Sequence, residues 1–314
     1  MPESEQLQFY QLDVFTTVPY KGNPLAIVHL SPGRDLAPEK KLKIAREFNL
    51  SETVFLHENE GDRPGDQTKI DIFTTTKELP FAGHPTIGSG WHLLNNVQPE
   101  ISGATLLTKA GSIPVIPLPT NGAGGRVKLR VPVDFKVHTP YAHPTVKKDQ
   151  TRLTADDYVN GLDGPEPVAS IVKGMTFLLV QLQSTDALAR FGPFAKQITV
   201  PNLGDWDGFI GLYAFTILSK EAGDGELDGT LRIQTRMFAA TLEDSATGSA
   251  ASTLAGWLAQ REGKGKWAVE IVQGVEMGRR SEIGVVVNIG DGGEIKVIEL
   301  VGSAVQVMNG YLWV

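Results

Sequence analysis

The sequence contains no cysteine among its 314 residues. Disulfides, thiolate nucleophiles, zinc sites with cysteine ligands and cysteine-bound iron–sulfur clusters are therefore excluded. The chain also lacks the run of about 18 apolar residues that a membrane-spanning helix needs. Its start, MPESEQLQFYQL, is polar and has no apolar segment typical of a signal peptide. We expect a cytoplasmic protein with no membrane partner.

Blocks of positive charge are missing as well. The formal net charge is −7, and the basic clusters do not exceed pairs such as Lys147-Lys148 and Arg279-Arg280. Nucleic acids and anionic membranes are therefore not expected as partners, because nothing in the chain would neutralise a row of phosphates. Hydrophobic residues make up 41% of the chain, which predicts a packed core, and the length predicts two domains of ordinary size.

Several familiar catalytic motifs are absent. Ser89 and Ser249 lack the flanking glycines of a nucleophile elbow, and the chain contains neither a phosphate-binding loop nor an H-E-x-x-H pair. The glycines between 223 and 229 do not match a dinucleotide fingerprint and indicate a hairpin turn. The six histidines show no metal-ligand clustering with carboxylates. We therefore expect no cofactor and no metal.

Short apolar runs rich in Val, Ile and Phe, separated by turn residues, dominate the chain. Such runs predict strands, and the 34 glycines and 19 prolines fit the many tight turns that strands require. The clearest runs are 25–28, 54–56, 70–73, 127–131, 177–182 and 285–287.

Helical patterns are fewer and of two kinds. Residues 38–48 carry apolar residues on one stripe and charges opposite, which predicts an amphipathic surface helix. Residues 85–94 and 246–258 carry almost no charge and many small residues, which predicts helices buried on all sides. In both, small residues lead to a tryptophan closely followed by leucine, at Trp91 and Trp257. This shared layout predicts two similar halves, each a curved sheet around a central helix, with a linker where regular patterning fades around 132–144.

Each half also offers a glycine-containing turn that leads into a buried helix. The start of a helix presents free backbone N–H groups and a positive dipole end, so it can hold a carboxylate. His84 and Asp244 lie at these turns, and Glu52 precedes an apolar strand. An apolar setting would raise the pKa of Glu52 and suit it to acid–base catalysis. From the residues alone, Asp244 as a helix cap, His84 as a structural histidine and Glu52 as a solvated turn residue remain open.

Ordered motifs along nearly the whole chain resemble the phenazine-biosynthesis (PhzF-like) family, which is related in fold to diaminopimelate epimerase. They are DVFT at 13–16 with GNPLA at 22–26, FNLSETVF at 48–55, ELPFAGHPT at 78–86, RMF at 236–238, EDSATGSA at 243–250, QG at 273–274, MGR at 277–279 and GYL at 310–312.

The resemblance implies an α+β, diaminopimelate epimerase-like fold with two pseudo-symmetric halves. Each half would be a curved, mainly antiparallel sheet around a central buried helix. The expected halves are residues 1–135, with 302–314 returning to them, and residues 136–301, with the active site in the cleft between them. The resemblance also implies a homodimer, the commonest symmetric assembly.

The same resemblance assigns roles to individual residues. It implies that Glu52 takes a proton from one carbon and returns it to another, while His84 and Asp244 hold or relay protons. Ala82 and Ser245 stand where the epimerases carry their two catalytic cysteines, so a two-thiol racemase mechanism is excluded. The substrate-binding residues it implies, mainly through backbone and hydroxyl donors to a carboxylate, are Asn23, Gly83, Thr247, Gly248 and Ser249.

The function implied is a cofactor-independent isomerase acting on a small carboxylate-bearing, cyclic amino or hydroxy acid. It would be similar to the family's trans-2,3-dihydro-3-hydroxyanthranilate isomerases. Two alternatives stay open at this point. One is an amino-acid epimerase or racemase with bases other than cysteine, and the other is a noncatalytic ligand-binding protein of the same fold.

Overall fold

The computed structural model describes residues 6–59, 67–119 and 125–314, so the first five residues of the polar start lie outside the described part. The chain forms two compact units. Unit 1 comprises Met1–Arg130 with Val301–Val314, and unit 2 comprises Val131–Leu300. The domain limits inferred from the sequence, 135/136 and 301/302, stay a prediction.

Unit 1 is a mixed sheet with two helices. Its first eight strands are β1 (Gln6–Val14), β2 (Asn23–Leu30), β3 (Thr53–His57), β4 (Gln67–Phe73), β5 (Glu78–Leu79), β6 (Ala104–Thr108), β7 (Gly111–Leu118) and β8 (Arg126–Arg130). Helix α1 (Pro38–Phe48) connects β2 to β3, and helix α2 (Gly83–His92), followed by a π-helical turn at Leu93–Val97, connects β5 to β6. The pairs β2–β3 and β4–β6 are parallel, and the neighbouring pairs β1–β2, β3–β4, β4–β5, β6–β7 and β7–β8 are antiparallel.

Unit 2 has a sheet of the same kind. Its strands are β9 (Lys136–Tyr141), β10 (Glu166–Val172), β11 (Met175–Gln181), β12 (Phe209–Ala222), β13 (Gly229–Ala239), β14 (Leu242–Asp244), β15 (Gly265–Gln273) and β16 (Ser281–Ile289). Helix α3 (Thr185–Arg190) lies between β11 and β12, helix α4 (Gly248–Glu262) lies between β14 and β15, and short 3-10 turns occur at Ala155–Asp157 and Gly204–Trp206. The closing strand β17 (Ile295–Trp313) pairs antiparallel with β1, from Val14↔Ala304 to Gln6↔Trp313.

The two units repeat one order of elements and pairings. From β10 to β16 the pairings are antiparallel, parallel, antiparallel, antiparallel, parallel and antiparallel, as they are from β1 to β7. In each unit one helix connects the first parallel pair of strands and another connects the second. The predicted α+β fold of two similar halves is therefore confirmed. The six apolar runs predicted as strands also lie in strands, apart from one end residue in two of them.

Helix α2 is buried along its whole length, as its lack of charge predicts. A side chain at Gly88 would collide with Leu25 of β2 and approach Val14 of β1 to 2.9 Å. A side chain at Gly90, farther along, would come within 2.6 Å of Val115 of β7. Strands from both ends of the order β1 to β7 therefore pack against the helix, and the small residues allow this close contact.

Helix α1 has the bounds that its amphipathic pattern predicts. A proline at its first position fits the start of a helix, and Asn49 ends it in the left-handed conformation (φ 51°), donating its N–H to the carbonyl of Ala45 at 3.0 Å. One prediction about this helix is wrong, because its charges do not all face solvent. Lys41 is buried and binds two aspartates, as described below.

The linker predicted around 132–144 is also wrong in part. Residues Lys136–Tyr141 form strand β9, which pairs antiparallel with β10 between Ser170↔Lys136 and Glu166↔Tyr141. The strand was not recognised because most of its side chains are exposed or half-buried, so the segment shows no apolar alternation. Among the described residues, no helix is both long and apolar enough to cross a membrane.

His92 at the far end of α2 and His29 in β2 form a buried pair of histidines. Nδ1 of His29 donates to the Glu58 carboxylate at 2.9 Å, which leaves its Nε2 to accept a hydrogen bond from Nε2 of His92 at 3.0 Å. Nδ1 of His92 then accepts from the amide of Asn96 at 3.2 Å. Burial lowers the pKa of His29, and burial together with the neighbouring His29 lowers the pKa of His92 to about 3. Both rings are therefore neutral at neutral pH.

We expect this pair to make the protein sensitive to acid. The unfolded chain takes up a proton on His92 below about pH 6.5, whereas the folded chain resists it down to about pH 3. The free energy of unfolding consequently decreases as the pH falls. Protonation of His92 in the unfolded chain alone lowers it by about 2 kcal/mol at pH 5 relative to neutral pH. Urea unfolding of the wild type and of His92→Gln at pH 8 and pH 5 measures this loss. It should be smaller in the variant, and an equal loss in both proteins would contradict the expectation.

Candidate active site

Glu52 lies at the junction between α1 and β3. After the left-handed turn at Asn49 the chain runs back toward the sheet, and β3 begins beside β2 with Thr53 opposite Ala26. The Glu52 side chain is 18% exposed, and its Oε2 accepts a hydrogen bond from Nδ1 of His84 at 3.0 Å. The structure therefore brings together two of the three predicted acid–base residues.

His84 is the second residue of α2, and its side chain is only 4% exposed. Its second ring nitrogen, Nε2, is buried and has no hydrogen-bond partner among the described residues. Buried polar atoms are rarely left without a partner, and those that are occur often at functional positions. A histidine that served only to pack the helix start would not explain this atom.

The pKa of Glu52 differs from the sequence-based expectation. Burial raises it, but the hydrogen bond and charge of His84, together with the Ser51 hydroxyl, lower it by more, so the pKa lies below the ordinary value of 4.5. The predicted upward shift is therefore wrong, because the surroundings of Glu52 include a polar partner that its local sequence does not reveal. Glu52 is an ionised carboxylate at neutral pH and can accept a proton.

Asn23 and Gly83 lie next to this pair. Asn23 is buried at the start of β2, where its Oδ1 accepts a long hydrogen bond of 3.5 Å from the Ser51 hydroxyl, adjacent in sequence to Glu52. Gly83 is the first residue of α2, and the N-cap residue Ala82 offers no side-chain acceptor to the helix. The first backbone N–H groups of α2 are therefore not capped by the N-cap side chain, as an anion-binding helix start requires.

Unit 2 carries the other predicted residues. Asp244 ends β14, and its Oδ2 accepts a hydrogen bond of 2.5 Å from the Thr247 hydroxyl. Thr247 is the N-cap residue of α4 but makes no side-chain cap, and Gly248 and Ser249 are the first two residues of the helix. Asp244 is thus not the N-cap residue itself and lies three residues before Thr247. Ser245, at the position of a catalytic cysteine in the epimerases, is buried.

Arg236 and Gln273 lie near Asp244 and belong to motifs of the family resemblance, which implies no role for them. Arg236 forms a two-point ion pair with Glu243, the neighbour of Asp244, and donates to the carbonyls of Leu188, Ala189 and Phe191 at the end of α3. It thus fixes the β13–β14 hairpin that carries Asp244. Gln273, at the end of β15, contacts the main chain of Asp244 directly. Their sequence signal was only a polar residue within the apolar strand β13 and another at the end of β15.

One group of residues has the donor atoms of a metal site. Single ligand atoms of Asp35, His57 and Asp71 lie within 4.8 Å of one another, so the prediction that no histidine clusters with carboxylates is wrong at His57. The Lys41 ammonium group lies among them, 2.5 Å from an oxygen of each aspartate. Burial raises the pKa of Asp71, but the hydrogen bonds from His57 and Lys41 hold it far below its usual range. Lysine therefore supplies the positive charge here, and we assign no metal.

Comparison with known proteins shows which family the chain resembles. The family model described as phenazine biosynthesis-like protein matches residues 12–310. The chain is 32% identical over 275 residues to trans-2,3-dihydro-3-hydroxyanthranilate isomerase of Pseudomonas fluorescens, with 86% of each chain covered. It is 28% identical over 308 residues to the Pseudomonas aeruginosa enzyme of the same name, covering 96% of this chain and 98% of that one.

Solved structures show the fold. A PhzF-family protein of Bacillus anthracis has a TM-score of 0.76 at 20% identity, covering 99% of this chain and 100% of that one. A hydroxyproline epimerase of Agrobacterium vitis has a TM-score of 0.57 at 12% identity, covering 100% of this chain and 94% of that one. These similarities establish the diaminopimelate epimerase-like fold. Because the family model also covers nearly the whole chain, this protein belongs to the phenazine biosynthesis-like (PhzF) family and is an isomerase.

Proposed function

We propose that the protein shifts a proton within a small cyclic acid that carries an amino or hydroxyl group, with Glu52 as the acid–base residue. The observation that carries this proposal is the Glu52–His84 pair, in which an ionised, largely buried carboxylate meets a histidine with a free buried nitrogen. The relatives named trans-2,3-dihydro-3-hydroxyanthranilate isomerase support a substrate of this chemical class.

The reaction needs no co-reactant. Glu52 removes a proton from one ring carbon, and the electron pair of the broken C–H bond spreads over the adjacent double bond. The acidic proton of protonated Glu52 exchanges with solvent, and Glu52 then delivers a proton to another carbon of that system, so one C–H bond breaks and one forms. Because burial raises the pKa of Glu52 by less than His84 and Ser51 lower it, protonated Glu52 gives up its proton readily to the receiving carbon. The substrate therefore loses one proton and gains one, and only the positions of the proton and the double bond change.

The remaining residues bind the substrate in this proposal. His84 steadies the Glu52 carboxylate through Nδ1 and offers Nε2 to a polar substrate group. The uncapped starts of α2 and α4, at Gly83 and at Gly248 with Ser249, suit a carboxylate. Asn23, Asp244 and Thr247 contact the other polar groups. The homodimer implied by the sequence stays a prediction.

Proton exchange in heavy water tests the proposal. The pure protein is incubated with trans-2,3-dihydro-3-hydroxyanthranilate, proline-type acids and diamino acids, and NMR reports which carbon-bound protons are replaced by deuterium. We expect turnover of the ring acid with deuterium at the carbon that receives the proton. Exchange at Cα with inversion would indicate an epimerase instead. Tight binding of carboxylates without any exchange would indicate a binding protein.

A further inference from the structure

The amide of Gln273 is fully buried beside the start of α4. Its Nε2 donates to the main-chain carbonyl of Asp244 at 2.8 Å, and its Oε1 accepts from the main-chain N–H of Thr247 at 3.4 Å. A carbonyl can only accept and a backbone N–H can only donate. These two contacts therefore fix which end of the amide faces which neighbour.

The remaining hydrogen bonds then have only one direction. The Thr235 hydroxyl donates to the Tyr213 oxygen at 2.9 Å, and the Tyr213 hydroxyl donates to Oε1 of Gln273 at 2.9 Å. Nε2 of Gln273 also faces the Thr247 hydroxyl oxygen at 3.2 Å, which must accept. The hydrogen of Thr247 is left to point at Oδ2 of Asp244, 2.5 Å away. The side-chain donors of Thr235, Tyr213, Gln273 and Thr247 therefore follow one another toward the Asp244 carboxylate.

This arrangement favours an unprotonated Oδ2 on Asp244, because a hydrogen bond donated to a carboxylate oxygen stabilises the charged form. A proton on Oδ2 would have to donate to Thr247, and Thr247 would lose the acceptor for its own hydrogen while Gln273 still donates to its oxygen. Burial raises the pKa of Tyr213, and the charge of Asp244 raises it further, so the phenol remains a donor. Hydrogen bonds in such a buried network are stronger than in water, so reversing one of them is unfavourable.

We propose that Gln273 is a positioning residue that, through Thr247, holds Asp244 as an ionised acceptor for a protonated amino or hydroxyl group of the substrate. Asp244 then selects substrates that carry such a donor, and Glu52 alone carries the migrating proton. This inference rests on the proposed function, because it assumes that Asp244 contacts the substrate.

The test compares two ligands in four variants. The variants are Gln273→Leu, Thr247→Val, Thr247→Ser and, as a matched control, Gln234→Met. Gln234 is a half-buried glutamine of the same sheet whose side-chain amide donates to the carboxylate of Glu276 at 3.0 Å. The ligands are trans-2,3-dihydro-3-hydroxyanthranilate and the same ring acid without its amino and hydroxyl groups, and kcat and KM or the dissociation constant are measured for each.

We expect Gln273→Leu and Thr247→Val to weaken kcat/KM or binding for the amino-hydroxy acid by about ten- to hundredfold. The same variants should leave the stripped analogue within about twofold, and Gln234→Met should resemble the wild type. Thr247→Ser keeps the hydroxyl and should recover most of the loss seen in Thr247→Val. Equal losses on both ligands would show that Gln273 only supports the fold and would overturn the proposal.

A second measurement does not depend on the substrate. Crystal structures of the ligand-free wild type, Gln273→Leu and Gln234→Met report the distance between Thr247 Oγ1 and Asp244 Oδ2. We expect the contact to be lost in Gln273→Leu alone. If it persists there, the positioning role is wrong whatever the substrate is. If it is lost while the wild type processes none of the ring acids, the proposed function fails and the structural role of Gln273 stands.

Discussion

Replacing Glu52 with glutamine should lower kcat by about 10²- to 10⁴-fold, the contribution typical of a positioned general base. Glutamine has nearly the same shape, and its carbonyl oxygen can still accept the hydrogen bond that His84 donates to Glu52 at 3.0 Å. The amide cannot take up a proton, however, so the first C–H bond cannot break. Deuterium incorporation measured by NMR under the conditions of the wild-type assay gives the ratio of rates.

The control is Glu47→Gln, which makes the same chemical change at an exposed position of α1 in the same unit. We expect wild-type turnover from the control and similar melting temperatures from both variants. If Glu52→Gln folds normally and turns over at the wild-type rate, another residue carries the proton. Because the pKa of Glu52 lies below 4.5, the wild type should keep its base ionised through weakly acidic pH.

Local patterns predicted the elements whose signals are local. The apolar stripe of 38–48 gave α1 its correct bounds, and the short apolar runs marked strands. The two central helices begin at Gly83 and Gly248, whereas the sequence predicted 85 and 246. Neither start has a side-chain cap, and a helix without a cap leaves no sequence signal at its first residue.

Contacts between distant residues could not be predicted in the same way. The pKa of Glu52 depends on His84, which is 32 residues away, and the orientation of Thr247 depends on Gln273, 26 residues away. The family resemblance named the acid–base residues but did not say which side chains form hydrogen bonds with Glu52 or Thr247. A single sequence does not show which buried polar groups pair across a sheet, so these interactions became visible only in the structure.

The largest loss of stability should follow from Lys147→Met. Lys147 is buried in unit 2, where its ammonium group donates to the carbonyls of Gly161 and Gly164 at 2.6 and 2.9 Å and forms an ion pair with Glu166 at 2.5 Å. The two charged side chains are 5% and 2% exposed. Methionine fills the same space but leaves a buried carboxylate without its counter-ion. Removing one partner of a buried pair costs about 3–5 kcal/mol.

Chemical denaturation and thermal melting measure this loss, which corresponds to roughly 6–20 °C in Tm for a unit of this size. Lys148→Met is the matched control, because Lys148 is 62% exposed and pairs with Asp163, which is 86% exposed, at 3.2 Å. A surface pair of this kind contributes about 0–1 kcal/mol. Equal effects of the two substitutions would show that the buried ion pair does not stabilise unit 2.

The pH dependence separates a lost counter-ion from poor packing. Burial raises the pKa of Glu166 even with Lys147 and Asn160 beside it, and removing Lys147 should raise that pKa further. As the pH falls through this raised value, folded Lys147→Met takes up a proton before the unfolded chain does, so its deficit relative to the wild type should shrink. A double variant, Lys147→Met with Glu166→Met, should recover part of the loss at neutral pH. A deficit that stays constant with pH and is not reduced in the double variant would mean that the lysine acts through its two carbonyl contacts, and that the charge of Glu166 has little influence on stability.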